Sequence, residues 1–200
     1  MTPKRRVEKM AENRARLISA ARTVFAQKGY SAASMDEMTA GAGLTRGALY
    51  HNFGDKRGLF AAVVSQVDGE MAQRAQEVGS KAGGRWDGLL AEGVAYIKMA
   101  LDPEIRQIVL LDGPAVLGDP SQWPSQNACL AATRQVVAGL VADGLMKPLD
   151  IEAAARLLNG AALDAALWVA ESSQPRSVLP HAIEVFCCLA GGLANADRVA

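Results

Sequence analysis

Residues 34–56 read Ser34-Met35-Asp36-Glu37-Met38-Thr39-Ala40-Gly41-Ala42-Gly43-Leu44-Thr45-Arg46-Gly47-Ala48-Leu49-Tyr50-His51-Asn52-Phe53-Gly54-Asp55-Lys56. Ser34 followed three residues later by Glu37 is a capping box: the hydroxyl satisfies a first-turn amide and the carboxylate reaches back to the cap. A short helix runs from there to about Ala42. Gly41 and Gly43 crowd a tight turn, and Thr45 is a good N-cap for the next helix, with Leu44 and Leu49 spaced as a hydrophobic staple. Leu49 and Phe53, four apart, face inward, which turns Arg46, Gly47, Tyr50 and His51 toward solvent or a partner. Asp55 caps a further helix that begins at Lys56. Two short helices joined by a glycine turn give the outline of a helix-turn-helix.

Upstream, Met10, Leu17, Ile18, Ala21, Val24 and Phe25 recur at helical spacing, so a helix is expected from about Met10 to Lys28, with Gly29 as its C′ residue. Downstream, the helix from Lys56 to about Val78 buries Leu59, Phe60, Val63, Val64 and Val67. Gly79 to Gly84 is then the best domain boundary: residues 1–55 form one domain, 56–78 a connecting helix and 79–200 a second domain. Further helices are expected at about 85–101, 103–112, 122–143, 151–171 and 177–193, with stops at Asp102-Pro103, Gly113-Pro114, Lys147-Pro148 and Gln174-Pro175. No strand signal survives, and the segments follow no fixed repeat.

The 200 residues agree with that reading. Half are hydrophobic but only 5% aromatic. Alanine outnumbers valine, isoleucine and the aromatics together, which favours helices over pleated surfaces. The net charge of zero conceals a division, +6 over residues 1–60 and −6 over residues 61–200. A basic head on an acidic body suggests a polyanion as the head's partner. No apolar run approaches the roughly 18 residues of a membrane span, and the N-terminus has no signal-peptide core, so a cytoplasmic protein without a membrane partner is expected. Cys129, Cys187 and Cys188 form neither a CxxC unit nor an even framework and read as buried free thiols.

The segment Gly41 to Lys56, with its capped second helix, glycine turn, Leu49-Tyr50-x-x-Phe53 ending and following lysine, resembles the TetR family of transcriptional repressors. The resemblance covers about residues 10–65, with a looser all-helical likeness beyond. It implies a homodimer with one recognition helix per subunit in the major groove of double-stranded DNA, and a C-terminal body that binds a small molecule. Asn52 stands where members often have histidine, which bears on a phosphate contact, and Gly58 weakens the first turn of the helix from Lys56.

The residues themselves supply the contacts. Ser34, Thr45, the free amides of the third helix and Lys56 place donors where phosphates lie. Arg46 is the long side chain on the exposed face able to pair with guanine, while Gly47 and Ala48 permit close approach; Tyr50 and His51 complete the set. The alternative is that Arg46 binds only phosphate and Tyr50 packs within its domain. Lys4, Arg5, Arg6 and Lys9 form either an arm on DNA or a solvated tail.

In the body, Trp86, Tyr96, Met99, Trp123, Asn127 and Trp168 are the candidates to contact a ligand, with Cys129 and Phe186 beside them; each is equally a core residue. Few charges there suggest a largely apolar, neutral or weakly cationic effector. Leu157, Leu158, Ala161, Ala162, Ala165 and Leu167 on one segment and Ile183, Val185, Phe186, Leu189 and Leu193 on the next suit a four-helix dimer interface, or an intrachain core. His51 and His181 sit in no metal-ligand spacing, and no phosphate loop or nucleophile motif appears, so neither catalysis, a metal nor a cofactor is expected. The rival function is an all-helical small-molecule binding protein without specific DNA binding.

Overall fold

The computed structural model describes residues 3–195, with the backbone alone for Pro3, Lys4 and Arg6. Among the described residues the chain forms α1 (Pro3–Ala32), α2 (Met35–Gly41), α3 (Arg46–Phe53), α4 (Lys56–Gly79), α5 (Arg85–Lys98), α6 (Pro103–Ile105), a π-helix (Arg106–Asp112), α7 (Gly113–Leu117), α8 (Pro124–Ala142), α9 (Ile151–Glu171) and α10 (Pro175–Gly191), with 3-10 turns at Met99–Leu101 and Pro120–Gln122. The class is all-α, as the composition requires. β-Pairing among these residues is a single antiparallel bridge, Met146 with Ala194.

The chain divides into two compact units. One comprises the residues up to Val67 together with 103–118, the other residues 68–102 together with those from 119 onward. This differs from the boundary expected at Gly79 to Gly84. The buried line of α4 changes allegiance partway along its length: Leu59, Phe60, Val63, Val64 and Val67 belong to the first core and Met71 and Ala75 to the second. The return of 103–118 to the first unit is a tertiary event that local periodicity does not encode.

In the first unit, Phe60 lies edge-on to Phe25 and tilted against Tyr30, with centroids 4.9 Å apart in both pairs. Leu17 and Ala21 on α1, Met38 on α2 and Leu49 on α3 are fully buried and mark the inner face of each helix. The first helix is longer than expected but broken at Gly29, whose φ of 72° is left-handed, as a C′ glycine demands. The N–H of Tyr30, just past the break, donates to Asp112 Oδ2 at 2.7 Å, and Gln107 Nε2 donates to the same oxygen at 2.9 Å. Arg22 holds Glu104 through two 2.7 Å bonds. Residues 103–117, expected as one helix to Asp112, form three pieces, of which α6 and the π-helix are tied to α1. Pro114 has no N–H to give the Leu110 carbonyl, and the turn before it is wound as π rather than α.

In the second unit, Trp86, Leu89, Leu130, Val137, Leu140, Met146, Ala155 and Leu158 make the core. Along α9, Ala154, Ala155, Leu158, Ala162, Ala166 and Val169 are buried at helical spacing, and their small side chains let α5, α8 and α10 approach closely. The last helix begins at Pro175 rather than 177. The cysteines are free, but Cys188 is exposed and Cys129 and Cys187 only half-buried, against the expectation of buried thiols. The buried line of α10 runs through Ala182, Phe186 and Ala190, and at about 100° per residue this turns Cys187 to its border and Cys188 away from it.

The Asp112 anchor is testable by denaturant unfolding. Asp112→Ala strands the Tyr30 N–H and should cost about 1 to 3 kcal/mol, whereas Asp112→Asn keeps an acceptor and should cost clearly less. Equal losses would place the stabilisation elsewhere.

Candidate nucleic-acid interface and buried cavity

The expected caps at Ser34, Thr45 and Asp55 and the Gly43 turn are formed, but the capping box is not closed. Ser34 Oγ accepts from Asp36 N at 3.2 Å, and Thr45 Oγ1 accepts from Ala48 N at 3.2 Å. Gly43 takes φ 61° in the tight turn. Glu37, however, does not reach back to the Ser34 cap; it pairs with Lys28 Nζ at 2.7 Å, because a lysine on α1 offers a full charge within reach. Asp55 Oδ1 accepts from Gly58 N at 2.7 Å. A side chain at Gly58 would run into the Phe53 carbonyl, so the glycine that weakens the helix on propensity is required by the close turn.

Leu49 is fully buried beneath α3. Arg46, Gly47, Tyr50 and His51 face solvent, Ser34 and Thr45 are exposed at the two caps, and Ala48 is half-buried. Arg46 and Lys56, the Lys/Arg members of the expected contact set, also have partners. Arg46 donates from Nε and Nη2 to the two oxygens of Asp36, an exposed bidentate pair that lowers the aspartate pKa. Lys56 Nζ lies 4.5 Å from the centre of the Tyr30 ring and donates to the Ser31 carbonyl at 3.4 Å. The Tyr30 hydroxyl pKa is raised, first by burial and then by the charge of Asp55. Asn52 turns inward, Nδ2 donating to the Ala48 carbonyl at 2.7 Å. Arg14 stacks over the Phe53 ring at 4.4 Å and donates to the Asn52 carbonyl at 3.3 Å, fastening α3 to α1. Arg5 and Lys9 are exposed on α1; the side chains of Lys4 and Arg6 lie outside the described residues.

The second unit has a half-open cavity of about 60 Å³ lined by residues of α4, α5, α8, α9 and α10. Ala72, Ala75, Leu89, Leu158, Ala162 and Phe186 supply apolar wall, and Glu92, Tyr96, Gln126, Cys129, Thr133 and Asn159 polar wall. Gln126 Nε2 donates to Asp68 at 3.0 and 3.1 Å and lies 3.3 Å from the Tyr96 hydroxyl. Thr133 Oγ1 is 2.9 Å from Asn159 Oδ1. Asp68 is 1% exposed, and burial raises its pKa against the lowering effect of the hydrogen bonds from Ser125 and Gln126. Burial also raises Glu92. The Cys129 thiol is pushed up to about 11 by burial and then by the charges of Asp68 and Glu92, and burial lifts the Tyr96 phenol further still.

Of the six residues expected to contact a ligand, the cavity wall includes Tyr96. Trp86 belongs to the core cluster, and Met99 is buried in the 3-10 turn after α5. Trp123 is buried as the N-cap of α8, and its Nε1 has no partner among the described residues. Asn127 is exposed; the neighbouring Gln126 points into the wall, a difference of one helical step. Trp168 is 52% exposed because it lies about 200° round the helix from buried Ala166. Gln126, Glu92 and Asp68 were missed, although the spacing of Val64, Asp68, Met71 and Ala75 marks Asp68 as a charge on a buried stripe. Among the described residues no cluster is suited to a metal, and no helix is long and apolar enough to cross a membrane.

Two family models match this architecture. "Bacterial regulatory proteins, tetR family" matches residues 17–63, and "Tetracyclin repressor-like, C-terminal domain" matches residues 86–193. The transposon Tn10 TetC protein of Escherichia coli is 26% identical over 149 residues, 72% of this chain and 73% of that protein. The HTH-type transcriptional repressor AcnR of Corynebacterium glutamicum is 31% identical over 105 residues, 52% of this chain and about half (55%) of that repressor's length. The crystal structure of a TetR-family transcriptional regulator from Pectobacterium atrosepticum is 42% identical with a TM-score of 0.87, covering 97% of this chain and 98% of that one. RolR, solved in complex with resorcinol, shares the fold at 18% identity and a TM-score of 0.68, over 95% of this chain and 96% of that one. With the C-terminal model alone spanning more than half its residues, the chain belongs to the TetR family of bacterial transcriptional regulators.

Proposed function

We propose that the protein is a repressor that binds a near-palindromic operator as a homodimer and is released by a small effector. The observation that carries this reading is the placement of α4. It begins at Lys56 beside the helix-turn-helix and contributes Ala72 and Ala75 to the cavity wall, so one continuous helix spans both functions. An effector that displaces Ala72 or Ala75 acts on the helix that carries Lys56. Selection of bound sites from random duplexes tests the class; absence of any sequence preference would favour a small-molecule binding protein instead.

On DNA, Thr45 and the free amides of α3 meet phosphates, Arg46 reads a base, and Lys56 contacts the backbone. Arg46→Ala should weaken the preferred site by about 1 to 3 kcal/mol and relax one base position, whereas Lys56→Ala should weaken all duplexes alike and lower the salt slope by about 1. Equal losses on specific and random DNA for both variants would assign Arg46 to the backbone.

The dimer interface in this reading is the outer face of α9 and α10. Leu157 (73% exposed), Leu189 (61%), Val185 and Trp168 leave an apolar surface there with no partner in a single chain. Pairing the two helices with their symmetry mates covers it with a four-helix contact. Leu157→Glu with Leu189→Glu should sediment as a monomer and lose operator affinity; a dimer with intact binding would put the interface elsewhere.

The effector is neutral or cationic, with an apolar body. No lysine or arginine lines the cavity, while Glu92 is in its wall and Asp68 stands behind Gln126. An anion would meet two carboxylates that burial already disfavours as charges. Because Asp68 has a raised folded pKa, its ionisation works against folding. The penalty is absent below the unfolded value of about 4 and grows as pH rises to the folded pKa. Asp68→Asn should therefore gain stability over the wild type as pH rises from 4 to 8, with no gain at pH 3. A constant difference in thermal melts across that range would show that Asp68 is not held above its ordinary pKa.

A further inference from the structure

We propose that Asp36 is a specificity-determining residue: it holds one edge of the Arg46 guanidinium so that the other edge is presented to a base. The proposal rests on Arg46 as the base reader. The guanidinium is a planar fork of five N–H donors. Asp36 accepts from Nε and Nη2, which leaves the Nη1–Nη2 end free. That end carries two parallel N–H groups, the pair that fits O6 and N7 of guanine. A free arginine on an exposed helix samples many rotamers, most of which reach a phosphate before they reach a base. One held along its side by a carboxylate has its plane and its direction set in advance.

The placement of the two residues gives the pair a second effect. Arg46 is the first residue of α3, where the helix dipole disfavours a cation, and the first turn of α3 contains no acid. The compensating charge comes from the first turn of α2. Asp36 is itself located by its own N–H, which donates to the Ser34 cap. Neutralising Arg46 in this way subtracts one charge from the attraction to any phosphate backbone, so the pair lowers non-specific binding while it orients the specific contact. Glu37, next in sequence, provides the contrast. It is an exposed acid on the same helix turn, but its partner is Lys28 on α1.

The experiment uses the full chain and the operator obtained by site selection, with competition titrations against its single-base-pair variants and a non-specific duplex at fixed salt. The proteins are wild type, Asp36→Asn, Glu37→Gln, Arg46→Ala and Asp36→Asn with Arg46→Ala, each checked for an unchanged thermal melt. Asp36→Asn should lose roughly tenfold discrimination at the same base pair that Arg46→Ala relaxes, and should bind the non-specific duplex more tightly, with a salt slope steeper by up to about 1. Glu37→Gln should tighten non-specific binding but keep every base preference. In the Arg46→Ala background, Asp36→Asn should change no base preference. Full discrimination by Asp36→Asn beside relaxed discrimination by Arg46→Ala overturns the proposal alone. So does a different base pair relaxed by each substitution, which would make Asp36 a direct reader. An Arg46→Ala protein that keeps every preference overturns the base-reading assignment and this proposal with it.

Discussion

The ring of Tyr30 rests against Phe60 and near Phe25, with centroids 4.9 and 5.9 Å away, and the first unit is organised by what that residue touches. Its ring carries the Lys56 ammonium at the start of α4, and its N–H is held by Asp112. One residue therefore fixes the end of α1, the beginning of α4 and the position of the π-helical segment. The Gly29 break makes this possible: without a left-handed residue before it, Tyr30 would continue α1 and its N–H would be spent inside the helix. In a chain with so few aromatics, three of the ten rings meet at this point. Edge and offset contacts of this kind add about 0.5 to 1.5 kcal/mol beyond the area they bury.

The second unit is held differently. Its packing relies on alanine and leucine, and its buried polar groups are concentrated beside one cavity. Asp68 costs stability there, since a buried carboxylate with neutral partners is paid for by the surrounding packing. Gln126 limits the cost by offering one amide group to both carboxylate oxygens. Such a network contributes little to stability.

What could be read from the sequence follows how local each interaction is. Ser34, Thr45 and Asp55 cap their helices as spacing implies, because a cap is settled within three residues. The inward set of Leu49 and the outward set of Arg46, Gly47, Tyr50 and His51 follow from helical period alone. The partners of Glu37 and Arg46 do not, since they lie 9 and 10 residues away and depend on how two helices cross. The return of 103–118 to the first unit turns on Arg22 and Tyr30, each 82 residues from its acceptor. In the cavity, composition points to the tryptophans, yet Trp86 and Trp123 are buried away from the wall and Trp168 is exposed, and the wall is made by Tyr96, Phe186 and shorter side chains. Asn127 and Gln126 differ by one step, which is below the precision with which a helix phase can be set from sequence.

α10 brings the cavity and the apolar surface into one element. Phe186 faces inward to the wall, and Val185 and Leu189 face outward and are more than half exposed. The ring lies so close to Gly93 that any side chain at that position would collide with it, so α5 and α10 meet with no slack at this point. A cavity of about 60 Å³ is smaller than most effectors, and a close-packed wall yields by moving a side chain or a helix rather than by compressing. Phe186 is the large side chain on that wall contributed by α10. A displaced ring would act on the helix whose outer side carries Val185 and Leu189, about 100° and 60° round from Phe186. One helix of seventeen residues, Pro175–Gly191, thus carries both a wall of the cavity and part of the exposed apolar surface.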